Sequence, residues 1–173
     1  MASDRAGHVP AVKSEQGAFE ALFKSEYARV AGIANRVLSD PQEAEDVAQE
    51  VFIDFHRLHS AGSPYAASWL YRAAAHTALN RIRGRRRRQR RELANAPHEG
   101  SKAVDPQQVV EVNEDRRRVR EALARLPQKP AAVLVLRASG LSYAEVAQAL
   151  GVGTGQIGTL LRRAEAALRK EVI

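Results

Sequence analysis

The sequence has 173 residues, enough for one domain or two small ones, and 45% of them are hydrophobic, as a folded core requires. The absence of cysteine excludes disulfide bonds and cysteine-ligated zinc and is compatible with a reducing cytoplasm. The first residues contain no apolar segment typical of a signal peptide, and no apolar run approaches the length of a membrane span. We therefore expect a cytoplasmic protein without membrane insertion.

The formal net charge of +7 is unevenly distributed along the chain. Residues 1–54 hold ten acids and five bases, residues 55–91 hold ten arginines and no acid, and residues 92–173 hold ten acids and twelve bases. The central segment culminates in RIRGRRRRQRR at 81–91, here called the arginine block. Such a block is typical of a polyanion partner, most often nucleic acid, although a solvated or targeting segment can have the same composition.

An all-α fold is predicted, because alanine is abundant and no stretch alternates in the manner of a β-strand. Residues 1–17 are predicted as a disordered tail. Apolar residues at helical spacing then predict a first helix over 18–38. Asp40 and Pro41 are typical of a helix start, with Glu43 at the acidic position of a capping box.

The second helix is predicted to bury one apolar face, composed of Ala44, Val47, Ala48, Val51, Phe52 and Phe55. A loop at 59–64 separates it from a third helix over 65–83, in which Trp69 is favoured as a core residue over a base-stacking platform. These three helices form one predicted bundle, over 18–92. Residues 93–107 are poor in large apolar groups and are predicted as a flexible linker.

A second helical bundle is predicted over 108–173, so the architecture is two small bundles joined by a linker. Four helices are expected, namely VNEDRRRVREALARL stopped by Pro127, AAVLVLRAS opened by Pro130 and ended by Gly140, SYAEVAQAL with Ser142 and Glu145 at capping-box spacing, and TGQIGTLLRRAEAALRKEV. The last two, joined by a glycine turn, have the layout of a helix-turn-helix, although an ordinary helical hairpin has the same pattern.

A recognition helix presents its N-terminal residues to base edges in the major groove. By position these residues are Thr154, Gln156 and Thr159, whereas Arg162 and Arg163 lie where they can hold phosphates. The arginine block in the same chain favours DNA as the partner of this helix.

The segment 40–54 holds six carboxylates and no basic residue. At 3.6 residues per turn, four of them form one stripe beside the apolar face: Glu43, Asp46, Glu50 and Asp54. Like charges on one stripe repel, and a solvated acidic face is the usual explanation of such a run. Because no lysine is interleaved, the pattern indicates a docking surface for a basic partner protein.

Four motifs, in this order, resemble a bacterial RNA polymerase sigma factor: AEDVAQEVF at 44–52, SWLYRAAAHTALNRIRGRRRR at 68–88, ALARLP at 122–127 and GLSYAEVAQALGV at 140–152. With no further region between the bundles, the chain is similar to the small extracytoplasmic-function type over about residues 18–170. The resemblance implies a sigma region-two domain at 18–92 and a region-four domain at 108–173. It also implies the function, which is to bind core RNA polymerase and direct promoter recognition and transcription initiation.

The resemblance further implies partners and site residues. The acidic helix would dock on the clamp helices of the polymerase β′ subunit, with the β subunit as a further contact, through Glu45, Asp46, Gln49 and Glu50. The third helix and the arginine block would engage and melt promoter DNA through Arg72, His76, Asn80, Arg83, Arg85, Arg86, Arg87 and Arg88. An anti-sigma partner is common in the family, and nothing in the sequence identifies one.

The sequence departs from the family pattern at several positions. The family often has asparagine at the position of His76, aspartate at that of Asn80, and lysine and arginine at those of Gly158 and Leu160. We therefore expect weaker or altered reading of the upstream promoter element. Neither the target promoters nor the inducing signal can be read from the chain.

No catalytic, metal or cofactor site is predicted, because the five histidines lack a metal-ligand spacing and no Walker-type glycine loop is present. Two alternative functions remain open. One is a stand-alone helix-turn-helix regulator with an N-terminal sensor bundle, and the other is an arginine-rich RNA-binding adaptor. The acidic helix favours the sigma factor, because a free-standing regulator has no use for it.

Overall fold

The computed structural model of the chain describes residues 10–96 and 110–173, and all regular secondary structure within these ranges is helical. The all-α fold predicted from the sequence is therefore confirmed. In chain order the helices are α1 (Pro10–Leu38), α2 (Pro41–Leu58), α3 (Ala66–Asn95), α4 (Val110–Arg125), α5 (Gln128–Ala138), α6 (Tyr143–Leu150) and α7 (Thr154–Val172). We call α1–α3 the first bundle and α4–α7 the second bundle.

The start and the buried face of α2 follow from local signals in the sequence. The Asp40 carboxylate accepts hydrogen bonds from the backbone N–H groups of Gln42 and Glu43, at 3.1 and 3.2 Å, and so satisfies two donors that a helix start leaves free. Pro41 occupies the first turn, where a missing N–H has no consequence. The six apolar residues predicted to face the core are all buried. Their packing against α1 and α3 leaves the polar face of α2 toward solvent.

The first helix begins earlier than predicted. Residues 10–17, assigned from the sequence to the disordered tail, belong to α1. Contacts with the α2–α3 loop support this extension, since the Glu15 carboxylate accepts hydrogen bonds from the Ser60 hydroxyl at 2.8 Å and the Ala61 backbone N–H at 2.9 Å. The rest of the predicted tail, residues 1–9, lies outside the described residues.

The third helix is also longer than predicted. It continues to Asn95 instead of ending at 83, so the whole arginine block is helical. Arginine has a high helix propensity, and packing of α3 against α4 supports the extension. The predicted linker over 93–107 therefore begins within α3, and residues 97–109 lie outside the described part of the chain.

The second bundle contains the predicted helix-turn-helix geometry. The Glu145 backbone N–H donates to the Ser142 hydroxyl at 3.1 Å, and the Ser142 N–H donates to the Glu145 carboxylate at 2.8 Å, which completes the capping box of α6. Gly151 ends α6 in the left-handed conformation, with φ of 67°, and turns the chain toward α7. Helix α5 begins at Gln128 rather than at Pro130, because proline is tolerated in a first helical turn.

The two bundles share one hydrophobic core. Helix α3 packs against α4, α5 and α6, and α1 also contacts α5. Buried side chains of both bundles belong to the same cluster, among them Leu79 and Ile82 of α3 and Leu123 and Leu136 of the second bundle. The sequence predicts the two bundles but contains no signal for this contact between them.

Candidate functional site

The four residues predicted to bind polymerase, Glu45, Asp46, Gln49 and Glu50, all lie exposed on α2. They occupy the side of the helix opposite its buried stripe, and we call this set the acidic face. Ile53, whose residue surface is 57% exposed, lies about one turn further along the same side. The arrangement can bind a basic protein surface through salt bridges around a small apolar contact.

Glu43 differs from the other acids of α2. Its side chain is only 15% exposed, and its carboxylate forms ion pairs with Arg81, at 3.6 Å, and with Arg85. Arg81 also donates to the Glu50 carboxylate at 2.9 Å. The prediction that Glu43 completes a capping box is therefore wrong, because its carboxylate is directed to α3. The other three acids of the predicted stripe, Asp46, Glu50 and Asp54, are exposed. Arginines of α3 thus neutralise part of the acidic charge on α2.

The residues of α3 predicted to bind DNA divide into two groups by exposure. The exposed group comprises Arg72, Asn80, Arg85, Arg87 and Arg88. The partly buried group comprises His76, Arg83 and Arg86. Only the first group presents side chains that an approaching duplex could contact in this arrangement of the bundles.

Arg83 contacts the second bundle instead of solvent. Its guanidinium donates hydrogen bonds to the Leu126 carbonyl at 2.7 Å and to the side chain of Gln128. Burial, followed by repulsion from Arg87, lowers the pKa of Arg83. Contact between Arg83 and a DNA phosphate therefore requires the α4–α5 turn to move away.

His76 lies between two arginines of its own helix. Burial, followed by the positive charges of Arg72 and Arg83, lowers the pKa of His76. The lowered pKa favours the neutral imidazole, which can donate one hydrogen bond and accept one. It adds no positive charge for a phosphate.

Trp69 lies at the junction of α3 with the loop that precedes it. It is partly buried against the core, and its ring centroid lies 5.4 Å from that of Phe55 and 5.0 Å from that of His59. The His59 Nδ1 atom lies 3.1 Å from the Tyr65 hydroxyl. Trp69 therefore packs with the core, as favoured from the sequence, in a group of rings at one end of the first bundle.

The predicted base-reading residues lie at the exposed start of α7. Thr154, Gln156 and Thr159 are all exposed, and so are Arg162 and Arg163. The Gln156 side chain accepts a hydrogen bond from the backbone N–H of Gly153 at 3.3 Å, so the same amide contributes to capping the helix. A role of Gln156 in base reading therefore requires either its free N–H₂ group or release of this cap.

A polar cluster between the bundles contains residues that the sequence did not single out together. Arg29 of α1 pairs with Glu145 of α6, and it also donates to the Tyr71 hydroxyl at 3.2 Å. The Tyr71 hydroxyl in turn donates to Glu26. Burial, followed by the hydrogen bond to Glu26, raises the pKa of Tyr71 to about 12. No sequence signal identifies this cluster, because its members come from three helices far apart in the chain.

Within residues 10–96 and 110–173, no group of three or more His, Asp or Glu side chains is placed to hold a metal ion. None of the helices in those two ranges is both long and apolar enough to cross a bilayer.

Comparison with known proteins gives consistent matches over both bundles. A family model described as Sigma-70 region 2 matches residues 22–88, and one described as Sigma-70, region 4 matches residues 116–168. The ECF RNA polymerase sigma factor SigK of Mycolicibacterium vanbaalenii is 32% identical over 162 residues, covering 88% of this chain and 81% of the relative. The ECF RNA polymerase sigma factor SigW of Bacillus subtilis is 28% identical, covering 92% of this chain and 91% of the relative.

A solved structure, that of CnrH in complex with the cytosolic domain of CnrY, has a similar fold. Its TM-score is 0.54 at 22% sequence identity, and the match covers 92% of this chain and 90% of that chain.

Sigma-70 regions 2 and 4 on a single helical chain define a bacterial sigma factor, the subunit that binds RNA polymerase and directs transcription initiation. Within that class, this chain belongs to the extracytoplasmic-function family. The expectation drawn from the sequence motifs is thereby confirmed. The stand-alone regulator and the RNA-binding adaptor are not favoured.

Proposed function

We propose that the two bundles divide the work of a sigma factor between them. The first bundle docks on core polymerase through the acidic face and engages the promoter element nearest the start site. The second bundle binds the upstream element through α7. Residues 96–109 join α3 to α4 along the chain. This division is supported by the charge of the exposed surfaces, since the acidic face is on α2, whereas α3 and α7 each present exposed arginines.

The acidic face is the observation that carries the docking proposal. Its four polar side chains are exposed together, and the buried stripe of α2 fixes them on one side of a rigid helix. Such a surface fits a basic, helical partner surface, which in this proposal is the pair of clamp helices of the β′ subunit, with the β subunit as a further contact. Charge complementarity of this kind chiefly increases the association rate and selects the partner.

The docking proposal is tested with a double variant, Glu45→Lys and Asp46→Lys, which reverses the charge at both positions. Both residues are exposed and neither forms an ion pair within the described residues, so the fold should be unaffected. We expect affinity for core polymerase to fall by about tenfold or more, equivalent to about 1.4 kcal/mol. Binding is measured by fluorescence anisotropy of the labelled chain titrated with core enzyme.

The matched control changes two exposed acids elsewhere to lysine, as Glu20→Lys with Asp115→Lys. It alters the net charge by the same amount, so it reports the effect of overall charge alone. We expect the control to bind core polymerase within about twofold of the unmodified chain. Equal losses in the two variants would show that the acidic face is not the docking surface.

The exposed residues of α3 make the first direct contact with promoter DNA. Arg72, Asn80, Arg87 and Arg88 are accessible, and phosphate contacts from arginine supply sequence-independent affinity. Three further residues, His76, Arg83 and Arg86, are partly buried. They contact DNA only after the second bundle has separated from α3. At the upstream element, Gln156 and Thr159 read bases and Arg163 holds phosphate.

A protein inhibitor is a further proposed partner. The related CnrH is found with the cytosolic domain of CnrY. By analogy with that protein, we include an anti-sigma partner that binds this chain and competes with polymerase. The test is whether a protein that co-purifies with the chain is displaced by core polymerase, because simultaneous binding of both would contradict the competition.

A further inference from the structure

Two adjoining cavities lie in the groove between the bundles. The first, of about 380 Å³, is open to solvent on one side and is lined by residues of α3, of α4 and of the end of α1. The second, of about 640 Å³, continues from it along α1 and α4, and Ser39 lines both. Each has the size of a small-molecule site. The groove exists only while α4 is packed against the first bundle, because side chains of both bundles form its walls.

The walls of this groove are strongly cationic, and every cation is an arginine. The first cavity is lined by Arg85, Arg86, Arg117 and Arg120, and the second by Arg36 and Arg116. Only two carboxylates line the same space, those of Asp40 and Glu121. Because α4 and α3 each contribute arginines, packing of the bundles brings like charges together.

The two carboxylates are already engaged. Asp40 accepts hydrogen bonds from two backbone N–H groups at the start of α2, and Glu121 accepts one from Arg117 at 2.7 Å. Among the described residues, Arg86 and Arg120 have no carboxylate within ion-pairing distance. Burial, followed by repulsion from neighbouring arginines, lowers the pKa of Arg86. The charges of Glu171 and Glu121 act on Arg86 in the opposite direction but do not cancel this effect, so the groove retains arginines that form no ion pair with a described acid.

The floor of the groove adds two features beyond charge. Leu38 and Ile82 are buried side chains that line the first cavity and can pack against a ring. In the second cavity, the Asn35 Oδ1 atom is buried without a hydrogen-bond partner. An acceptor left unpaired in this way is destabilising unless a water or ligand donor reaches it. The groove thus combines cationic walls, an apolar surface and a free acceptor.

We infer that the groove binds a small phosphate-bearing ligand of the nucleoside diphosphate class, beyond the function proposed above. The phosphates lie between Arg86 and Arg120, whose planar guanidinium groups match phosphate oxygens in pairs. The base or sugar lies on the apolar floor and donates a hydrogen bond toward Asn35. Such a ligand offsets the repulsion between α3 and α4, and so stabilises the packed arrangement of the two bundles.

Nucleic acid also supplies phosphates, but the geometry favours a small ligand. A duplex carries its phosphates on the outside of a wide rod and contacts protruding side chains such as Arg87 and Arg88. The recessed groove lies between two bundles and is walled by both of them. Arg85, which also lines the first cavity, is already paired with Glu43.

The test is calorimetric titration of the full chain, without polymerase or DNA, with adenosine diphosphate, guanosine diphosphate and inorganic pyrophosphate at constant ionic strength. Sulfate serves as the simple-anion control. We expect the diphosphates to bind at least about tenfold more tightly than sulfate. A double variant with Arg86→Gln and Arg120→Gln should bind diphosphate about tenfold or more weakly, because the substitutions remove two charge-assisted hydrogen-bonding groups.

The matched control is Arg88→Gln with Arg118→Gln, which removes two exposed arginines from the same two helices outside the cavities. It should retain diphosphate affinity within about twofold. Asn35→Leu should reduce the preference for a nucleotide over pyrophosphate without changing pyrophosphate binding. Circular dichroism spectra check that all variants are folded.

Three results would overturn the inference. Equal weakening in the two arginine pairs would mean diffuse charge attraction, and sulfate binding as tightly as diphosphate would mean an adventitious anion. If substitution of Arg86 and Arg120 leaves diphosphate binding unchanged and weakens duplex DNA binding instead, the phosphates of the groove belong to nucleic acid. None of these results bears on docking to core polymerase, which is measured separately.

Discussion

Arg29 of α1 and Glu145 of α6 form a two-pronged ion pair across the bundles, with nitrogen–oxygen distances of 3.0 and 3.3 Å. The same Glu145 carboxylate accepts the Ser142 backbone N–H and completes the capping box of α6. One side chain therefore both starts the first helix of the helix-turn-helix and joins it to the first bundle. These two effects can be separated by mutation.

Glu145→Gln should retain the cap and weaken the ion pair, because glutamine keeps an acceptor oxygen for the Ser142 N–H. The side chains of Arg29 and Glu145 are 36% and 40% exposed, so removing the pair should lower the free energy of unfolding by no more than about 1 kcal/mol. Glu145→Ala should cost roughly 0.5–1.5 kcal/mol more, because it also removes the acceptor of the Ser142 N–H, whereas the Ser142 hydroxyl still caps the helix. Urea unfolding measures both variants, and identical values would mean that this second bond of the capping box contributes nothing.

Arg83→Gln should destabilise the packing of the second bundle on α3. The substitution removes the donors to the Leu126 carbonyl and the Gln128 side chain, and unpaired polar groups of this kind cost about 1–3 kcal/mol each when buried. Arg88→Gln, on the exposed side of the same helix, should change the free energy of unfolding by less than about 0.5 kcal/mol. Guanidinium unfolding compares the two, and similar midpoints would contradict a structural role for Arg83.

Replacing Arg87 and Arg88 together by alanine should weaken promoter binding across sequences and reduce its salt dependence. Each phosphate that the protein no longer neutralises reduces the slope of log affinity against log salt concentration by about 0.9. Arg85→Ala should reduce the slope by less, because Arg85 is already paired with Glu43. The measurement is holoenzyme binding to a promoter duplex at several salt concentrations. An unchanged slope in the double variant would exclude phosphate contact at these positions.

Gln156→Ala should relax preference at one base position of the upstream element. A bidentate contact of glutamine with adenine discriminates by about 1–3 kcal/mol, and alanine has no group that could form it. Arg163→Ala should instead weaken all promoters alike, because phosphate contacts carry no sequence information. Transcription from a library randomised in the upstream element measures both effects.

The capping contact of Gln156 requires a control for α7 itself. Gln156→Glu keeps the acceptor for the Gly153 N–H, so helix stability should be retained while the preference for adenine disappears. A selected sequence that stays the same in Gln156→Ala would place base reading elsewhere.

Stability should decrease at acidic pH because of His76. Its pKa is lower in the folded chain than its unfolded value of about 6.5, so the unfolded chain takes up the proton first. The stabilising contribution is therefore fully present above that value and is lost as the pH falls below it. Between about pH 7.5 and about pH 5.5, the free energy of unfolding should fall less in His76→Asn than in the unmodified chain. A His76 variant with an unchanged decrease would contradict this origin.

Local signals in the sequence predicted local structure well. Asp40 and Ser142 cap the helices expected of them, because a capping contact involves residues only two or three positions apart. The exposed residues of α2 were predicted for the same reason, since the helical period fixes which side faces the core. The predictions that failed concern features that depend on contacts between residues far apart in the chain. The extension of α1 depends on Glu15 reaching the α2–α3 loop.

In the candidate site, too, contacts between distant segments could not be predicted from the sequence. Exposure of the acidic face could be predicted, whereas the ion pairs of Glu43 with arginines of α3 could not, because they join two helices across a loop. The position of Arg83 was also unpredictable from its own segment. Its partners, Leu126 and Gln128, follow it by more than forty residues, and only packing of the bundles brings them together.

The unbroken length of α3 has a geometric consequence. At 1.5 Å per residue, the 15 positions from Arg72 to Arg87 correspond to about 22 Å along one unbroken helix. Successive base pairs of a duplex are about 3.4 Å apart, so DNA lying along α3 would meet these two exposed arginines about seven base pairs apart. The helix therefore fixes the distance between these two positions. An insertion of one residue between them would lengthen that distance and rotate one position relative to the other around the helix axis.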